Sequence, residues 1–183
     1  MNTVKLFALS ACLLPSLSFA HNISLNQPVP SVTVKQYGEI TYINDAPTYQ
    51  TWNSEHLKGK VRVLQAIAGR SSAKAMNADL MSAITLEKFP ESTYQTTTII
   101  NQDDSIWGTG GFVKSSAEES KKEFSWSSMV LDENGKVANA WDLKSESSTI
   151  IVQNKKGNVI FVKEGKLSSD EIKQVIALIY AQL

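Results

Sequence analysis

Cysteine is what the sequence most conspicuously does without. Among 183 residues there is a single one, Cys12, so the chain can form no internal disulfide and holds no Cys-x-x-Cys redox pair. Histidine is nearly as scarce, with His21 and His56 the only two, a sparse supply for a metal centre. There is no net charge either. The 18 basic and 18 acidic residues cancel, which leaves no electrostatic footprint for nucleic acid or for an anionic membrane surface. The apolar run from Leu6 to Leu14 is too short to span a bilayer, which takes roughly 20 residues. No internal repeat and no low-complexity tract interrupts the chain.

What is present begins with an export signal. Residues 1–20 carry Lys5 as their one charge, then the apolar run, a break at Pro15, and Ser18-Phe19-Ala20. That order of charged, apolar and small-residue segments predicts a signal peptide cleaved after Ala20 and no membrane insertion afterwards. Leu9-Ser10-Ala11-Cys12 offers the competing reading of a lipobox, with Cys12 as a lipidated terminus. The apolar run continues past Cys12 to a good cleavage site, which favours cleavage after Ala20. The mature chain then starts at His21 and contains no cysteine. With 42% hydrophobic residues in the sequence, residues 21–183 make one domain with a core large enough to need no disulfide.

Patterning places the elements. An arm punctuated by Pro28 and Pro30 leads to Val32, Val34, Ile40 and Tyr42, whose alternation about Gly38-Glu39 predicts a short hairpin. Gly59 to Leu64 is an apolar strand feeding a helix that starts at a serine cap, with Ala73, Met76, Leu80 and Ile84 on one face over about three turns. Tyr94 to Ile100, β-branched and aromatic, predicts a second parallel strand. A polar, Gly-rich loop from Asn101 to Gly111, a charged helix over Ser115–Glu123 and a strand over Ser127–Leu131 follow. Asp132-Glu133-Asn134-Gly135 reads as a hairpin-type turn. Ser148–Val152 and Val159–Val162 form a hairpin about Lys155–Asn158. Ser168 and Glu171 make a capping box for a last helix striped by Ile172, Val175, Ile176 and Ile179. Strands that run into helices make this an α/β fold, whose loops at strand ends are the usual ligand positions.

The central run also carries a resemblance. Gly59-Lys60-Val61-Arg62-Val63-Leu64, then Ala68 and the tetrapeptide Ser71-Ser72-Ala73-Lys74, resemble the heart of thioredoxin-like proteins of the TlpA type, where a Gly-Lys-Val-Val-x-Val strand precedes Ala-x-Trp-Cys-x-x-Cys. More narrowly, the mature chain is similar to the YtfJ family of small secreted proteins from Gram-negative bacteria. Tyr49-Gln50-Thr51-Trp52-Asn53-Ser54, Gly59 to Gln65, Ala68 to Lys74, and Tyr94 to Ile99 carry that similarity. It implies a thioredoxin-like fold, with a central mixed sheet flanked by helices and an N-terminal hairpin arm, and a periplasmic location. It lends no catalytic residue. The cysteine slot reads Ser71-Ser72-Ala73-Lys74, and a serine hydroxyl can neither ionise near neutral pH nor exchange disulfides. The cis-proline that faces the redox pair in thioredoxins falls at about Ser148, where no proline stands.

The candidate ligand site is therefore the loop and helix start at Arg70, Ser71, Ser72 and Lys74, with Trp107 on the same edge. Free amides at a helix start and the forked donor of Arg70 suit a carboxylate or phosphate, and an exposed aromatic beside them suits a peptide or glycan. The expected partner is an envelope protein, a peptide or a small anion, with no cofactor. Two alternatives stay open. Ser71-x-x-Lys74 has the spacing of a serine nucleophile with a lysine one turn on, although no Ser-Asp-Asn or Lys-Thr-Gly partner accompanies it. A mature N-terminal His21, with His56, could chelate copper. The loop Asp103-Asp104 to Gly111 has neither EF-hand nor Walker spacing and reads as a solvated connection.

Overall fold

The computed structural model describes residues 21–183. The signal segment, Cys12 and the cleavage point after Ala20 lie outside the described residues. Seven strands form one sheet: β1 (Thr33–Ile43), β2 (Ala46–Asn53), β3 (Val61–Ala68), β4 (Tyr94–Asn101), β5 (Ser128–Asp132), β6 (Ser148–Gln153) and β7 (Val159–Glu164). Their order across the sheet is β2-β1-β5-β4-β3-β6-β7. The middle three, β5, β4 and β3, run parallel, and every other neighbouring pair is antiparallel. Five helices connect and cover them: α1 (Ser71–Met76), α2 (Ala78–Glu87), α3 (Gly110–Glu123), α4 (Lys136–Trp141) and α5 (Ser169–Gln182). This is the expected α/β mixed sheet with a hairpin arm. No described helix is long and apolar enough to cross a membrane.

All eight residues of β3 are buried, as a strand covered on both faces requires. Val61 and Val63 pack with Leu80 and Ile84 of α2 and with Val175 and Ile179 of α5. Leu64 and Ala66, on the opposite face, pack with Val137 and Trp141 of α4 and with Ile23 and Val29 of the entry arm. Trp141 is fully buried, and its indole N–H donates to the carbonyl of Pro30 at 2.8 Å. Its ring and its one donor thus tie α4 to the arm, and truncating such a side chain costs about 3–5 kcal/mol.

Several boundaries differ from the sequence expectations, each for a physical reason. The first hairpin turns at Asn44-Asp45, both left-handed at φ 51° and 60°, the geometry of a two-residue type I′ turn. Gly38 instead marks a bulge inside β1, where the register with β2 shifts between Val34 and Glu39. A Cβ on Gly38 would lie 2.3 Å from the Gln50 carbonyl oxygen, so only glycine fits. The helix expected through Ala73 and Ile84 is broken at Asn77 into α1 and α2. α3 begins at Gly110, five residues before the expected Ser115, and so takes up Gly110 and Gly111 of the three glycines assigned to the loop. Asp132–Gly135 does not close a hairpin. It leads from β5 into α4, with Gly135 left-handed at φ 62° as the residue before the first turn.

Candidate functional site

The three parallel strands end level with one another. Ala68 of β3 pairs in register with Asn101 of β4, and Asn101 with Asp132 of β5. This C-terminal edge is where an α/β sheet leaves space between its loops, and two features converge on it.

The first is the expected loop. Arg70 is the residue before α1, and α1 has no side-chain cap, which corrects the serine-cap reading. Ser71 and Ser72 are exposed. The Arg70 guanidinium is already engaged: Nε donates to the Asp104 carbonyl at 3.1 Å, and Nη2 lies 3.1 Å from Asp104 Oδ1 and 3.1 Å from Glu146 Oε1. Asp104 Oδ2 accepts in turn from the Glu146 N–H at 2.6 Å. Arg70 therefore clamps three loops through Nε and Nη2, and two carboxylates offset its charge, which weakens the support for the anion reading. Gly69 is required by its own neighbours, since a Cβ there would sit 2.8 Å from the Asn101 carbonyl oxygen.

The remaining expected residues do not assemble. Lys74 Nζ donates to Ser120 Oγ at 3.3 Å, so the lysine is turned to α3 and the Ser71–Lys74 nucleophile pair is not formed. Trp107 stands on the same edge, 98% exposed, near the exposed Ile106 and Phe112 but without a ring partner among the described residues. His21 Nδ1 accepts from the Ile23 N–H at 3.3 Å. Among the described residues, neither histidine belongs to a group of three or more His, Cys, Asp or Glu side chains placed to hold a metal.

The second feature is a cavity of about 340 Å³ over the level strand ends, on the α4 side. Asn101, Asp132 and Thr149 line it, together with Val137 to Asn139 and Asp142 to Ser145. Asp132 is fully buried. Its Oδ2 accepts from the Val137 N–H at 2.7 Å and so caps α4, whereas its Oδ1 has no hydrogen-bond partner. Asp103, Asp104 and Asp142 also line the cavity, against one cation, Lys144. The sequence reading missed this site because Asp132 looks like a turn residue. Its signal is the Asp-x-x-Gly that begins on the last residue of a third parallel strand.

Where a redox-active member of the fold presents two sulfurs and a cis-proline, this chain presents Ser71 to Lys74 and, facing them, Ser148. Among the described residues no peptide bond is cis. Ser148 lies at the start of β6, paired with Ile67, and its hydroxyl accepts from Asn77 Nδ2 at 3.0 Å.

The architecture is that of the thioredoxin-like proteins. A thioredoxin-like superfamily protein superposes with a TM-score of 0.57 at 15% identity, over 84% of this chain and 96% of that one. The thioredoxin domain of a thiol-disulfide oxidoreductase from Bacteroides vulgatus does so with a TM-score of 0.57 at 14% identity, over 86% and 98%. Likeness at that identity speaks for the fold alone. In sequence, the chain is 46% identical over 179 residues to the uncharacterized protein YtfJ of Escherichia coli K12, spanning 98% of this chain and 97% of that protein. It is 49% identical over 164 residues to an uncharacterized protein of Haemophilus influenzae, spanning 90% and 89%. Residues 23–182 match the family model described as "Bacterial protein of unknown function (YtfJ_HI0045)", and the chain belongs to that family.

Proposed function

We propose that the protein is an exported, periplasmic binding module on a redox-inactive thioredoxin-like scaffold, and that its ligand enters at the C-terminal edge of β3, β4 and β5. The observation that carries this reading is the cavity lined by Ala68, Asn101 and Asp132, the last with a buried carboxylate oxygen left unpaired. A buried polar atom without a partner is unfavourable by about 1–3 kcal/mol, and natural folds retain such an atom chiefly where a ligand or water completes it. The absence of cysteine from residues 21–183 argues against thiol exchange, since the reaction needs a thiolate to attack and a second sulfur to resolve the mixed disulfide. The signal-like residues 1–20 support export.

Two measurements test this. Insulin reduction by dithiothreitol should proceed at the same rate with and without the protein, and acceleration would overturn the redox-inactive reading. A screen of small charged and neutral solutes by amide chemical shifts should move residues 101–104 and 132–145. Shifts that cluster elsewhere, or none at this edge, would overturn the binding site.

A further inference from the structure

Resting on the reading that ligand enters at this edge, we infer that the cavity is a pocket for an alkylammonium group, with Asp132 as its counter-charge. The cavity is lined in part by Asp132, a fully buried residue that uses one oxygen to cap α4 and leaves Oδ1 buried without a donor. A buried carboxylate is tolerated when it is both paired and hydrogen-bonded, and here only the inner oxygen is. What completes it is a donor that brings positive charge.

The shape of the donor follows from the same geometry. A guanidinium binds a carboxylate as a fork, using both oxygens. Here the Val137 N–H already takes one acceptor site of Oδ2, which leaves Oδ1 as the one wholly unpaired oxygen and favours a donor that needs a single acceptor. A metal ion wants several carboxylate or imidazole ligands, and among the described residues no such group of three is placed to supply them. A primary ammonium needs one strong acceptor and can direct its other protons at the side-chain oxygens of Asn101 and Thr149 or at water. Ile99, Val137 and Leu143 line the same cavity and offer apolar surface to the methylenes behind the charge. The exposed Asp103 and Asp142 add attraction at the rim. Asp104 adds little, because Arg70 pairs with it. The ammonium can belong to a free alkylamine or to a lysine side chain of a partner.

The test is a titration of the protein, as the cell processes it, with n-butylamine, n-butanol and butyrate, which share a size and differ in charge. Butylamine should shift the amides of Asn101–Asp104 and Asp132–Val137, at least about tenfold more tightly than the other two. Asp132→Asn, which keeps an acceptor for Val137, should weaken that response by at least about tenfold. Should Asp132→Asn not fold, the double variant D103N/D142N, changed only at exposed positions, should weaken it about threefold by loss of rim charge. 1,4-Diaminobutane binding more tightly than Nα-acetyl-lysine amide points to a free amine, and the reverse order to a lysine side chain. A butylamine response unchanged in the variants, or matched by butanol, overturns the ammonium pocket and leaves the edge as a ligand site. Silence toward all three probes overturns the pocket, and silence in the solute screen as well removes the binding module.

Discussion

Asn77 donates through its side-chain amide to the hydroxyl of Ser148, 3.0 Å away and 71 residues along the chain. The same amide reaches the Gly165 carbonyl at 3.0 Å, and Oδ1 accepts from the Leu167 N–H at 3.0 Å. Asn77 is 2% exposed, so each of these bonds replaces water that cannot return. The break between α1 and α2 exists to make them.

Asn77→Ala should therefore lower the unfolding free energy by about 2–4 kcal/mol, more than an exposed helix substitution, because two buried partners and a half-buried one are left unpaired at once. Urea unfolding measures it. A loss below about 0.5 kcal/mol would mean that the kink holds without its side chain.

The last helix gives a graded expectation. Val175 and Ile179 are fully buried and Ile176 only partly so. Ile179→Ala should cost about 2–5 kcal/mol, and Ile176→Ala clearly less. Equal losses in thermal or chemical melts would put the docking face of α5 one position away from where it lies here.

Arg70 and Asp104 have side chains 23% and 16% exposed, which places their bond between a solvent-screened pair and a buried one. A double-mutant cycle on Arg70→Ala and Asp104→Ala should return a coupling of about 0.5–2 kcal/mol. In the wild-type protein, phosphate up to about 10 mM should leave the amides of residues 70–74 unmoved, a weaker binding than about 3 kcal/mol would give. Saturable shifts there would restore an anion site at Arg70.

Acid should weaken the fold partly through Glu171. The Lys163 ammonium, then the Ser168 backbone N–H, hold its carboxyl down at about 2, against an ordinary 4.5. Since the folded-state pKa is depressed, the contribution is present above pH 4.5 and is lost as the pH falls toward 2. Glu171→Gln should flatten stability against pH across that window. An acid limb of the same slope in the variant would assign the acid loss to other groups.

The sequence announces local features and hides non-local ones. The capping box at Ser168 and Glu171 is written within four residues, and both of its hydrogen bonds form. The β-branched run of β3 and the apolar runs of β6 and β7 about the Lys155–Asn158 turn are equally local. Asn77 is different: Met76, Leu80 and Ile84 keep helical spacing across it, and the break comes from partners at residues 148, 165 and 167. Asp132 is opaque for the same reason. Beside Asn134 and Gly135 it has turn composition, and only the register of β3, β4 and β5 sets it beside Asn101 in the lining of a cavity. The position of the first hairpin is hidden because a bulge glycine mimics a turn glycine, while Asn and Asp can both adopt the left-handed turn that the chain uses.

The place of β3 at the centre of the sheet has a consequence for the order in which the chain can assemble. One edge of β3 is satisfied by β4, which follows after a short helical excursion. The other waits for β6, whose pairing begins at Ser148 with Ile67. A chain made from its N-terminus therefore carries β3 half-paired, with one edge of N–H and C=O groups bare, until about the last fifth has emerged. Pairings so distant in sequence close slowly and leave strand edges open to other chains. A chain stopped after α4 would have no means of covering that edge, so the first three-quarters or so of this protein is not a smaller version of it but an unfinished sheet.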